Sequence, residues 1–368
     1  MVIIRNNYLD PYKLTAKISR YKELDALRGI AAIAVVFFHF TMDYPAKKTG
    51  FELGVTGVDL FFIISGFVIF MTINKVSSAK EFFVNRFTRL FPVYWTCVTF
   101  TYILKVATPQ LVTDTSPVSF SRYLANLTMF QYYMRFEDID GPYWTMLVEM
   151  LFYISIAVLF SLKKMKYIVE IGAVILGIAL INDLVLQQYF HFLIGIHKAF
   201  PLFTHFPLFF AGIIFYKIMH INKGDKKLFY LYGCIALAYI TKLALADNGG
   251  PGVGFLGFPK YAMCLAFYFL LFILFVNGFL KFIVNRVTLF LGKISFPLYL
   301  IHHYLSIRIM IPMLLKHTQI NYWIICLITL TTIISLAAIV SYTIETPCER
   351  KWNDWLRVKL GLPLRGTK

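Results

Sequence analysis

Arg28 and His39 stand eleven positions apart in an otherwise apolar run, 23-ELDALRGIAAIAVVFFHF-40. At 3.6 residues per turn that spacing is about three turns. Both side chains then share one helix face, separated along the axis by about 16 Å. A guanidinium is a permanently charged fork of donors suited to phosphate oxygens. An imidazole is the side chain that exchanges a proton near neutral pH. Ionisable groups inside apolar helices are costly and usually face a partner or a cavity, so the pair predicts a polar track. The bland alternative is a snorkelling arginine and a histidine bonded to a neighbouring helix.

Other polar residues stand in comparable surroundings. In 57-GVDLFFIISGF-67 an aspartate, Asp59, opens an apolar run, and in 143-YWTMLVEMLFYI-154 a glutamate, Glu149, lies about two turns in. A carboxylate beside an imidazole fixes its tautomer and raises its basicity, which is what a general base needs. His39, Asp59 and Glu149 are expected at similar depth, with a helix N-cap as the alternative for Asp59 and a structural ion pair for Glu149. Arg86 and Arg89 in 86-RFTRLFPVYW-95 suit a phosphate site, or plain anchoring on the cytoplasmic side. In 295-SFPLYLIHHYL-305 one histidine of His302 and His303 is expected to face the track, the other lipid headgroups or a packing partner. Glu345 precedes a Thr-Pro stop in 344-IETPCERKW-352.

These residues need membrane helices to hold them. The chain has 368 residues, 59% hydrophobic and 15% charged, too few polar side chains to cover a soluble globule of this length. Ten runs approach the roughly 20 apolar residues that span a bilayer core. They are Leu24–Met42, Val58–Ile73, Leu90–Val106, Tyr143–Leu162, Tyr167–Leu186, His205–Met219, Leu228–Leu245, Phe258–Phe279, Val287–Leu315 and Tyr322–Ile344. The second and sixth are short, and Pro297 is expected to kink or break the ninth. The fold class is therefore all-α, a polytopic bundle of about ten transmembrane helices. The first run carries Arg28 and His39 and lacks a small-residue cleavage site, so it is expected to be retained.

The net charge is +17. In such a chain it reflects orienting loops and does not indicate nucleic acid. With the N-terminus inside, the inner segments hold 24 Lys and Arg and the outer loops and helix ends 10. Both termini are thus expected in the cytoplasm, around a membrane domain at 24–344 with a segment 1–23 before it and a basic tail 345–368 after it. The long outer connection from Ala107 to Pro142 is expected to contain an amphipathic or re-entrant piece, and the glycine-rich 247-DNGGPGVGFLG-257 to be a flexible turn. Five cysteines without CxxC spacing read as free thiols, and no metal site is implied.

Taken in order, 25-DALRGIAA-32 with Arg-x10-His ending at His39, GVDLFFIISGF, RFTRLFPVYW, YWTMLVEMLFYI, SFPLYLIHHY and a terminal ETP resemble the acyltransferase 3 family of integral membrane acyltransferases. Each piece is weak alone; six in order over most of the chain are specific. The resemblance implies transfer of an acyl group, most often acetyl, from cytoplasmic acyl-CoA to a hydroxyl of a cell-surface or lipid-linked glycan. It implies catalytic roles for Arg28 and His39, carries the family's glutamate after the tryptophan onto Glu149, and carries the YLIH histidine onto His302; Asp59 joins the catalytic set only by its expected depth beside His39. Donor contacts are expected at Arg86, Arg89 and His302. Thr346 departs from the family's basic residue at the ETP corner, which leaves Glu345 without an assigned role.

No bound cofactor is expected, acyl-CoA being the donor substrate. The other expected partners are the glycan and membrane lipid, and a homo-oligomer or a separate partner of the glycan pathway is left open. Some members of the family append an extracytoplasmic hydrolase domain. About two dozen residues follow the tenth run here, so the membrane domain is expected to act alone or with such a partner. The expected location is a bacterial cytoplasmic (inner) membrane. The competing reading is a transporter or flippase for a glycan or lipid precursor, which would favour broken helices in paired positions near the midplane. A structural or receptor protein would leave the buried Arg28, His39 and Glu149 unexplained.

Overall fold

A computed structural model describes residues 21–42, 51–109, 118–183, 199–247 and 251–364. Among them the regular structure is entirely helical. The longer helices are α1 (Lys22–Thr41), α2 (Gly57–Ile73), α3 (Ala79–Ala107), α5 (Trp144–Ser161), α6 (Ile168–Ile181), α7 (Leu202–His220) and α8 (Lys227–Asp247). After these come α10 (Phe258–Val276), α11 (Arg286–His303), α13 (Tyr322–Val340) and α14 (Thr346–Lys359). Three short helices, α4 (Phe120–Leu127), α9 (Pro251–Leu256) and α12 (Ile311–His317), lie between them. Nine of the helical stretches are long and apolar enough to cross a membrane, and the chain is an integral membrane protein. Of the ten expected spans, Tyr167–Leu186 is described as α-helix only over Ile168–Ile181, and residues 184–198 lie outside the described set.

Local chemistry sets the helix starts. Ser78, Ser119 and Asn321 accept backbone N–H groups at the starts of α3, α4 and α13, and Asn285 forms a capping box with Thr288 at α11. Burial sorts centre from rim. The apolar windows of the α2 and α7 spans are 72% buried and that of α1 67%, against 28% for α10 and 33% for the stretch through α13 and α14. The core therefore lies around α1, α2 and α7, while α10 and α13 turn much of their apolar surface outward.

Glycines let the central helices close up. A Cβ on Gly66 would fall 2.0 Å from the Phe209 carbonyl oxygen, and one on Gly212 would fall 2.1 Å from that of Ile63, so α2 and α7 cross backbone to backbone. Gly292 brings α11 equally near the Asp25 carbonyl of α1. Overpacking such a crossing costs about 1–3 kcal/mol or more. Gly66→Leu should therefore lower the thermal midpoint of the detergent-solubilised protein and its folded yield. Gly177→Leu, at a glycine with open space around it, should change neither; equal effects would refute the role of the crossing.

Several expectations are corrected. The second span is not short, because a 3₁₀ segment, Phe51–Thr56, runs directly into α2, and the sixth is nineteen residues long. Pro297 does not break the ninth, since α11 continues through it to His303. The irregularity comes next, as a π-helical stretch Tyr304–Met310 immediately after the histidine pair, and a second one spans Ser341–Glu345. Extra residues per turn of this kind are frequent at functional sites because they re-aim side chains. Part of the glycine-rich loop is the helix α9, with Phe255 edge-on to Phe38 of α1 at 5.0 Å. The basic C-terminal segment is helical through residue 359. It forms α14 and docks on α3 through Arg357, which donates to Glu81 (3.1 Å) and Asn85 (2.9 Å), and through Asn353, which donates to Asn85 and Thr88. The long connection before α5 does hold an amphipathic helix, α4, whose Phe120 and Leu124 are exposed, while Arg122 is tied to the backbone of Glu137 and Asp138.

Candidate active site

Two chambers open inside the bundle. The larger, about 610 Å³, is lined by Arg28 of α1, Ser65 of α2, Arg86 and Arg89 of α3, Glu149 and Tyr153 of α5, and Glu345, among others. The smaller, about 200 Å³, is lined by His39, Asp59, Trp144, His205, Lys242 and Tyr261 together with apolar neighbours. Val58 and Tyr299 line both, so the chambers meet at those two side chains. The α1 face carrying Arg28 and His39 thus presents one residue to each chamber.

Around His39 the hydrogen bonds decide the tautomer. His39 Nδ1 lies 2.9 Å from the Val35 carbonyl oxygen, an acceptor only, so Nδ1 carries the proton. His302 Nδ1 lies 2.8 Å from the Tyr299 carbonyl oxygen and is likewise the protonated nitrogen. The His302 Nε2 lone pair is then free to accept from His39 Nδ1–H, 3.1 Å away. His39 Nε2 is left unprotonated, with a lone pair able to take a proton. His303 stands edge-on to His39 at 4.8 Å, and its Nδ1 donates to Asp140 Oδ1 at 2.6 Å. Asp140 also accepts the backbone N–H groups of Gly141 and Tyr304, which locks this pair against α11.

This geometry redistributes the expected partners. Glu149 does not orient His39. Its Oε1 accepts from Ser65 at 2.9 Å and, by a short bond, from Tyr153, and it faces the larger chamber with Arg28. Asp59 shares the chamber of His39 but pairs with Lys242, 3.9 Å away. Asp59 is also no N-cap, since it lies in the first turn and Thr56 holds the cap position. His302 is fully buried against His39 and lines neither chamber, so it is placed as a positioning residue and not as a donor contact. Both histidines of the HH pair face His39; neither is turned to headgroups.

The arginines of the larger chamber differ. Arg86 donates to Thr72 Oγ1 at 3.0 Å and lies between the rings of Phe82 and Tyr153, while its Nε has no hydrogen-bond partner among the described residues. Arg89 lies in the field of Glu345 and Glu349. Glu345 is itself bonded by Ser341 at 2.7 Å, which gives that carboxylate a structural setting. Arg28 has Asp25, Glu149, Tyr153 and Arg89 around it. Lys75, just beyond α2, also lines the chamber, and partial burial lowers its pKa from the ordinary lysine value. Asp140, His205 and Lys242 were not singled out by sequence reasoning as site residues. For Lys242 the signal was present, a lysine inside the apolar stretch ITKLALA. No cluster of metal-ligating side chains occurs among the described residues.

The comparisons with known proteins agree with this picture. An acyltransferase domain model matches residues 21–340. ORF330 of Acidianus two-tailed virus, whose name proposes an acetyltransferase, is 23% identical over 292 residues, covering 75% of this chain and 80% of that protein. Nodulation protein 10 of Rhizobium leguminosarum bv. viciae is 27% identical over 194 residues, 45% of this chain and 51% of that one. The peptidoglycan O-acetyltransferase OatA of Listeria monocytogenes is 32% identical over 102 residues, 26% of this chain and only 15% of its own length. The matched region thus spans about half of the second relative and a small part of the third. No solved structure matches the chain. With 21–340 covered by one domain model, and with the ordered motifs placed around two adjacent chambers, the chain belongs to the acyltransferase 3 family.

Proposed function

We propose that this acyltransferase moves an acetyl group from acetyl-CoA to a hydroxyl of a cell-surface or lipid-linked glycan. The carrying observation is that Arg28 and His39 share one helix face yet open into different chambers that meet at Val58 and Tyr299. The donor occupies the larger chamber on the cytoplasmic side of a bacterial inner membrane, with both termini on that side, as the 24 to 10 distribution of basic residues supports. Phosphates of CoA lie toward Arg86, Lys75 and Arg28, where guanidinium forks suit them. The pantetheine arm runs along α1 for about three turns and brings the thioester to His39. The name of OatA, a peptidoglycan O-acetyltransferase, supports a glycan acceptor.

The chemistry follows from the His39 tautomer. The acceptor O–H gives its proton to Nε2 as its oxygen attacks the thioester carbonyl carbon. The tetrahedral adduct collapses, the C–S bond breaks, and the imidazolium returns the proton to the departing thiolate. The products are an ester and CoA. His302 holds Nδ1 in the required state throughout. The same Nε2 lone pair is also the atom on which an acyl-enzyme would form.

Mass spectrometry of surface glycans from cells with and without this chain tests the proposal. The expected result is an acetyl mass on the glycan only where the chain is present; identical spectra would refute the glycan acceptor.

A further inference from the structure

The mechanism uses one residue of the smaller chamber and leaves the others without a role. Lys242 and Asp59 there are only 4% and 8% exposed. Burying an ammonium and a carboxylate is costly unless they are closely paired and hydrogen-bonded. Here the pairing is loose. Lys242 Nζ is 3.9 Å from Asp59 Oδ1 and 3.4 Å from the Thr204 carbonyl oxygen, both longer than the roughly 2.7–2.9 Å of a charge-assisted bond. The Nδ1 of His205 is buried with no hydrogen-bond partner among the described residues, although its ring packs on Phe62 and Trp144. Asp59 is also bonded by the Tyr261 hydroxyl. Buried polar groups are normally satisfied, so the loosely held Lys242 and the unpartnered His205 Nδ1 leave bonds for a ligand to complete.

We propose that this chamber is the acceptor subsite and that it holds one neutral pyranose ring, its hydroxyls bridging Lys242, Asp59 and His205 while the hydroxyl to be acylated faces His39 Nε2. The inference rests on the functional reading above and adds the class of sugar. Lys242 donates, Asp59 accepts, and a neutral imidazole does one of each; a hydroxyl is the ligand group that does both. Trp144, Tyr261 and Phe255 supply apolar walls for the ring's C–H faces. The volume of about 200 Å³ is below the range of roughly 300–1,000 Å³ for drug-sized sites, which suits a single ring. Lys242 and Asp59 offset each other, so the chamber has no net charge to repay the cost of desolvating a sugar carboxylate, and an acidic sugar is disfavoured.

The test uses the full chain in lipid nanodiscs with acetyl-CoA and three acceptor probes: methyl β-D-glucopyranoside, the matching methyl glucuronoside, and 1-propanol. CoA release and acetyl-CoA binding are both measured. The glucoside should stimulate release saturably, and the glucuronoside and propanol at least about tenfold less, equivalent to about 1.4 kcal/mol. The paired variant Lys242→Met with Asp59→Asn keeps the chamber neutral, and His205→Phe leaves the ion pair intact. Each should raise the half-saturating glucoside concentration about tenfold or more while acetyl-CoA binding is unchanged. In a protein that binds acetyl-CoA, three results would each overturn the subsite: no stimulation by glucoside, equal use of glucuronoside, or unaltered half-saturation in both variants. Loss of acetyl-CoA binding from the unmodified chain would instead overturn the donor reading, and the subsite with it.

Discussion

Replacing His39 by alanine should reduce acyl transfer by about 10²–10⁴-fold, the usual contribution of a positioned general base, and by more if an acyl-enzyme forms there. A sugar hydroxyl is a poor nucleophile at neutral pH and must lose its proton as it attacks. The hydrogen bonds from Nδ1 to Val35 and His302 leave Nε2 as the free base, and this nitrogen belongs to a side chain lining the smaller chamber. Neither neighbouring histidine substitutes. His302 is buried behind His39, and His303 is held by Asp140. The variant should still insert and still bind acetyl-CoA, because the larger chamber is untouched. Initial transfer rates at matched membrane levels decide the matter; a loss below about threefold would return His39 to the role of a packed helix residue.

Arg28→Lys should weaken acetyl-CoA binding about 10- to 100-fold while His39 and its bonds remain in place. A hydrogen bond to a charged group contributes about 1.5–3 kcal/mol, and lysine keeps the charge but loses the planar fork. Arg28 lines the larger chamber in the field of Asp25, Glu149 and Tyr153. Direct titration of acetyl-CoA measures this without turnover. Unchanged affinity would remove Arg28 from the donor site and leave Arg86, with its unpartnered Nε, as the main anion contact.

The parts of this site that were legible in sequence are those set by local periodicity. The shared face of Arg28 and His39 follows from eleven residues of helix, and the apolar runs follow from what a bilayer requires. Partners across the bundle are different. His39 meets His302 over a separation of 263 positions, and His303 meets Asp140 over 163. No spacing rule reaches that far, so Glu149 was the plausible partner by depth alone. Asp140 reaches His303 only because the turn before α5 packs against α11. Pro297 illustrates a rule overridden by context, since a membrane helix passes through it and reserves its irregular turn for the residues after His303. The docking of α14 was partly readable, because Asn353 and Arg357 are four apart on one face, while the exposed Trp352 and Trp355 lie on others.

The most direct measurement uses sealed, inverted membrane vesicles with the glycan acceptor inside and acetyl-labelled acetyl-CoA added outside. The proposed transfer between the two adjacent chambers predicts label on the enclosed glycan and free CoA outside the vesicle, with label at background in vesicles carrying equal amounts of the His39→Ala protein. Equal labelling by both proteins, or no labelling by an unmodified protein that binds acetyl-CoA, would contradict transfer through His39.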